Sequence, residues 1–234
     1  MAEWGVVHDD VLFDAEVFVV ARLELQTPHD GVVRRQVVRH PGTVAIVAMN
    51  AHGQVALVRP YRPALGGFRW EVPAGRVEAS SGIALEDEAA RELAEEVGVA
   101  AKSMILVAAF MNAVGHSDQV TTVYFASQLT PVERSDASAE GSGMPVYWCD
   151  VEEARVKIAS DGPPDAKSLI ALQHVRERGK YSQQVDVLTS SDPVNGPGVP
   201  RPPRGGVTHP SLMCGRPTER QGSTPGGWQR TGAV

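Results

Sequence analysis

At 234 residues, 42% of them hydrophobic and 21% charged, the chain is long enough for one good-sized domain or two small ones. A net charge of −6 and the lack of any Lys/Arg-rich run argue against a nucleic-acid-binding face. No apolar stretch approaches the roughly 18 residues of a membrane span. Met1-Ala2-Glu3-Trp4 shows no signal peptide, and Cys149 and Cys214 have no metal-ligand spacing, so a cytoplasmic protein without membrane or nucleic-acid partners is expected.

Along the chain, residues 1–40 are β-rich. Two alternating runs, 16–25 and 32–38, flank Pro28-His29-Asp30-Gly31, whose turn chemistry predicts a hairpin. Residues 41–181 form the main domain. Within it, the runs 43–49 and 54–59 flank Asn50-Ala51-His52-Gly53, a second hairpin signal. Further strands are predicted over 104–110, 119–126 and 145–148, and helices over about 84–97, 151–159 and 166–178. Gly98 sits where a left-handed cap should end the first helix. Ala90, Leu93, Ala94 and Val97 give that helix an apolar side to dock on a sheet. Residues 182–234 differ in texture. From Ser191 to Val234 there are eight prolines and nine glycines and no periodicity, which predicts a disordered tail that cannot offset the entropy of ordering.

The densest chemistry lies in the first helix. Glu92, Glu95 and Glu96 fall within five residues, at spacings that place all three on neighbouring positions of one helical face. Like charges so placed destabilise a helix by a few tenths of a kcal/mol each, and Arg91 alone cannot neutralise three. Hard divalent cations take oxygen ligands and are held by a few carboxylates together with substrate phosphates. The pattern therefore predicts a site for metal and phosphate.

The stretch Arg91-Glu92-Leu93-Ala94-Glu95-Glu96-Val97-Gly98-Val99, with Gly75 upstream, resembles the Nudix box, G-x5-E-x7-R-E-U-x-E-E-x-G-U with U apolar. The second half fits at every position. In the first half Ala79-Ser80-Ser81-Gly82 reads as a two-residue insertion, and Ile83 stands where the pattern has its first Glu. Phe68-Arg69-Trp70-Glu71-Val72-Pro73-Ala74-Gly75, Pro60-Tyr61-Arg62, Gly115-His116-Ser117-Asp118 and Asp165-Ala166-Lys167-Ser168 resemble segments of the ADP-ribose pyrophosphatase subgroup, over about residues 10–178. The resemblance implies an α+β fold, an α/β/α sandwich of the Nudix type, with an N-terminal β-hairpin extension that dimerises.

It also implies roles. Glu92, Glu95, Glu96 and the backbone of Ala74 would bind Mg²⁺, with Mn²⁺ as the alternative ion. Arg62, Arg35 and Glu71 would bind substrate, Arg35 across a homodimer. Glu140, on the loop before the strand at 145–148, would be the catalytic base, with Glu95 as the second catalytic carboxylate. The implied reaction is hydrolysis of the diphosphate bond of ADP-ribose to AMP and ribose 5-phosphate, or of a related nucleoside diphosphate derivative. A hydrolase for a sugar nucleotide or an oxidised nucleotide, and a non-catalytic Nudix-like binding module, are the alternatives.

Overall fold

The computed structural model describes residues 3–29, 31–78, 82–134 and 144–181. The chain order is β1 (Gly5–Asp14), β2 (Val19–Gln26), β3 (Val32–Arg39), β4 (Thr43–Ala48), β5 (Val55–Val58), β6 (Tyr61–Arg62), β7 (Gly67–Phe68) and β8 (Ala74–Arg76). There follow α1 (Leu85–Val97), β9 (Val99–Met111), β10 (Val120–Pro131), β11 (Val146–Cys149), α2 (Val151–Ser160) and α3 (Ala166–Tyr181).

The sandwich is set by β4. Its Val44, Ile46 and Ala48 point into one core with Ala89, Leu93 and Val97 of α1. Its Ala45 and Val47 point into a second core with Ala154 and Ile158 of α2 and Ala171, Leu172 and Val175 of α3. A strand buried on both faces must be apolar along its buried length, and β4 is from Val44 to Ala48. Each Val, Leu or Ile so buried contributes roughly 1.5–3 kcal/mol. The result is an α/β/α sandwich around a mixed sheet of order β8-β4-β10-β9, with β4 and β10 parallel.

The turn at 50–53 does not produce the expected hairpin. Its Asn50 Oδ1 accepts from the N–H of His52 (2.9 Å) and of Gln54 (3.0 Å), and Gly53 takes φ 75°, as predicted turn chemistry requires. Yet β4 and β5 meet only at the bridge Met49–Val55, and β5 pairs instead with β11. Both strands are buried on both faces, so each needs its own neighbours; the turn makes a corner between two sheets.

At the N-terminus, β2 and β3 form the predicted hairpin, from Gln26 opposite Val32 to Val19 opposite Arg39. A third strand, β1, adds to β2. Asp9-Asp10 interrupts its alternation, which hid it in the sequence. On α1 the left-handed cap at Gly98 forms, with φ 76° and its N–H on the Ala94 carbonyl. The buried row is Ala89, Leu93 and Val97, and Ala90 faces solvent. Glu88, beside that row, is fully buried.

Candidate active site

The acidic wall of the site is α1. Glu86, Asp87 and Glu88 occupy its first turn, where negative charge suits the helix dipole. One guanidinium then gathers three carboxylates. Arg91 Nη2 donates to Glu88 Oε2 at 3.0 Å and to Glu92 Oε1 at 2.6 Å, and Nη1 donates to Glu95 Oε2 at 2.8 Å. Burial works against the Arg91 charge, but the Glu88 hydrogen bond and the charges of Glu92 and Glu95 outweigh it and raise its pKa. Burial also raises Glu92, against the pull of Arg91 and with the help of Glu95 and Glu88.

Glu96 points away from this cluster. Its Oε2 accepts from the backbone N–H of Ala74 at 3.0 Å, tying α1 to β8. Burial pushes its carboxyl up to about 7; the Ala74 N–H holds it down, the Glu92 charge adds, and Arg62 and Lys167 also lower it. Those last two charges face Glu96 across the cleft.

The close approach of β8 to α1 depends on Gly75, since a Cβ built there would fall inside the Glu92 carboxylate. Together Ala74, Gly75, Glu92, Glu95 and Glu96 line one side of a cleft of about 780 Å³. Asn112 and Thr121, joined by a 2.8 Å hydrogen bond, line another side with Gln119 and Thr43.

The opposing wall is basic and comes from distant parts of the chain. Arg62 on β6 forks onto Glu71, Nε to Oε1 at 2.8 Å and Nη2 to Oε2 at 2.7 Å. Glu71 is 3% exposed and bridged to β5 through Val58, N–H to carbonyl in both directions. Lys167, at the start of α3, donates to Glu71 Oε2 and to Asp165 Oδ1, the latter at 2.9 Å. Burial opposes the Glu71 charge, but the Arg62 hydrogen bond and the Lys167 charge more than compensate and lower its pKa.

The predicted residues therefore separate. Glu92, Glu95, Glu96, Ala74 and Arg62 meet in one cleft. Glu71 lies behind it, holding the two cations. Arg35 is exposed on β3 with its Nη1 on the Arg34 carbonyl, and is not among the residues lining the cleft of this chain. Glu140 falls outside the described residues. Its flanking Arg134 donates to the carbonyls of Glu95 (3.4 Å) and Met144 (3.1 Å), which ties both approaches of that segment to the C-terminal end of α1. Lys167 and Asp165 are additional. An Asp at a helix start was legible as an N-cap, and it does accept from Ser168 N–H at 3.1 Å, but no local signal aims Lys167 at Glu71.

The donor set suits a hard divalent cation, being all oxygen. As they stand, Glu92 and Glu95 turn to Arg91, and among the described residues no three acidic side chains close on one point. Burial raises the pKa of Glu92 and of Glu96, as expected of carboxylates that a cation would stabilise. The residues fit the metal by charge and donor type, with Arg91 already balancing part of the acidic face.

The family described as NUDIX domain matches residues 39–172. The chain is similar to an ADP-ribose pyrophosphatase of Mycobacterium tuberculosis, 35% identical over 156 residues, covering 67% of this chain and 75% of that one. It is similar to another ADP-ribose pyrophosphatase, from Bacillus subtilis, 30% identical over 174 residues and covering 74% and 93%. A methanol dehydrogenase activator of Bacillus methanolicus is 26% identical over the same shares. A crystal structure of an ADP compounds hydrolase shares the fold, with a TM-score of 0.64 at 19% identity, over 78% of this chain and 97% of that one.

Proposed function

Because the chain belongs to the NUDIX family, and is a Nudix pyrophosphatase, we propose that it hydrolyses the diphosphate bond of ADP-ribose, giving AMP and ribose 5-phosphate, with Mg²⁺ or Mn²⁺. The observation that carries this reading is the opposition of charge in one cleft, with Glu92, Glu95 and Glu96 facing Arg62. Divalent ions held by Glu92, Glu95, Glu96 and the Ala74 carbonyl would neutralise the diphosphate and favour attack by water on phosphorus. Arg62 would bind phosphate oxygens while Glu71 holds its Nε and Nη2 edge in place. Water bonds to one phosphorus, the bridging P–O bond breaks, and the water's proton passes to a carboxylate. Glu140 is the base in this reading, with Glu95 as the second candidate. Arg134 anchors the approaches to the Glu140 segment at the end of α1, which supports that assignment.

The protein acts in the cytoplasm as a homodimer in this reading, with Arg35 reaching the partner's cleft. No helix among the described residues is long and apolar enough to cross a membrane. Val11 and Phe13 of β1 and Val32 of β3 are exposed apolar side chains on the N-terminal sheet, which favours association there.

One observation keeps a different nucleoside diphosphate derivative as the second reading. No aromatic ring is among the described residues lining the cleft, so those residues read the diphosphate and leave the group beyond it unspecified. The test is a hydrolysis panel of ADP-ribose, sugar nucleotides and oxidised nucleotides with Mg²⁺, Mn²⁺ or EDTA. AMP release from ADP-ribose that EDTA abolishes is expected. Tight binding of ADP-ribose without AMP release would overturn the enzyme reading and leave a binding module.

A further inference from the structure

We propose that Lys167 is a substrate-binding residue, its ammonium holding a phosphate oxygen of the diphosphate, and that Glu71 is the buried carboxylate that fixes Lys167 and Arg62 as a two-cation clamp. The proposal rests on the reading that this cleft takes a diphosphate.

Arg62 already puts one hydrogen bond on each oxygen of the Glu71 carboxylate and balances its charge. Lys167 adds a second cation to Oε2, which neutralising Glu71 alone does not require. Two of the three Lys167 N–H donors go to Glu71 and Asp165, and the third has no acceptor among the described residues. Lys167 lines the same cleft as Arg62, Glu92 and Glu96.

The position of Lys167 is rigidly set. Ser168 Oγ accepts from the Val72 N–H at 2.9 Å in the buried interior, which pins the start of α3 to the segment carrying Glu71. Asp165 caps that start through the Ser168 N–H. Its other oxygen, Oδ2, is buried without a hydrogen-bond partner among the described residues.

The test compares the parent with Lys167→Gln and Lys167→Arg in the full chain. It measures melting temperature, calorimetric binding of inorganic pyrophosphate with Mg²⁺, and kcat and KM for ADP-ribose. The expected result for Lys167→Gln is pyrophosphate affinity lower by about tenfold and KM higher by a similar factor, the scale of one charge-assisted hydrogen bond. The kcat should stay within about threefold, as for loss of an interaction made equally in ground and transition states. Lys167→Arg should recover most of the affinity. Parent-like affinity and KM in Lys167→Gln overturns the proposal. So does a loss of affinity that tracks an equal fall in melting temperature in both variants, since that marks a structural role. A parent that binds pyrophosphate but releases no AMP from ADP-ribose overturns the proposed activity and leaves the Lys167 result standing on the pyrophosphate data.

Discussion

On one wall of the cleft, Glu92, Glu95 and Glu96 come from a single helix and are gathered by Arg91. On the other, Glu71 and Lys167 meet from positions 96 residues apart, with Arg62 delivered by a separate short strand. The electrostatics of the two walls differ as much as their origins. Burial leaves Glu92 and Glu96 raised, so the acidic wall is under-compensated and gains from an added cation. Glu71 is lowered by its two partners, so its charge on the basic wall is already compensated. One wall is built to recruit charge and the other to hold it still.

The largest effect should come from breaking the acidic wall. Glu96→Gln keeps the size and the acceptor for the Ala74 N–H but removes a charge from the proposed metal site, so kcat with Mg²⁺ should fall by roughly 10²–10³, the scale of losing one electrostatic stabiliser of the transition state. Thermal stability should hold or rise, because a buried like charge disappears. Parent turnover in the variant at saturating Mg²⁺ would remove Glu96 from the metal site.

Breaking the basic wall should act on stability instead. Glu71→Gln leaves Arg62 and Lys167 facing each other without their shared counter-charge, at a cost of about 3 kcal/mol near neutral pH. The sign with pH follows from the lowered pKa. Glu71 contributes its stability above its ordinary value of 4.5 and loses it as pH falls through the lower folded value. Denaturant melts of parent and variant should therefore diverge at pH 7 and converge in strong acid. A gap that persists unchanged into acid would show that the carboxylate charge is not what holds the clamp.

The same contrast explains what the sequence disclosed. A helix places residues three and four apart on one face, so the acidic wall was written in the spacing of Glu92, Glu95 and Glu96. The cap at Gly98 and the apolar row ending in Val97 were legible for the same reason, with the row misassigned by one residue at Ala90. The clamp depends on tertiary contacts between β6, the bridge at Glu71 and α3, which no local pattern encodes. The sequence thus offered Glu71 as a substrate-binding residue without showing that its carboxylate pairs with Arg62 and Lys167. The corner at Asn50 taught the matching lesson for the fold. Turn chemistry fixes where a chain reverses, while burial on both faces decides which strands then pair.

Gly75 stands on the acidic wall alone and offers the finest test of the separation of the two walls. It belongs to β8, next to the Ala74 whose N–H holds Glu96, and its missing side chain leaves room for the Glu92 carboxylate. In Gly75→Ala the methyl group must displace that carboxylate. The carboxylate is the far end of a flexible side chain, so the fold can yield at little cost and the melting temperature should stay close to the parent's. Glu92 would then leave its place beside Arg91, and kcat should drop by about tenfold, as misplacement by about 1 Å can cost up to 10²-fold. Pyrophosphate affinity, which rests partly on Arg62 and Lys167, should fall less than kcat. Kinetics at saturating Mg²⁺ beside calorimetry with pyrophosphate separates the two. Equal losses in both would mean that the walls act as one unit and that the cleft cannot be divided into a recruiting side and a holding side.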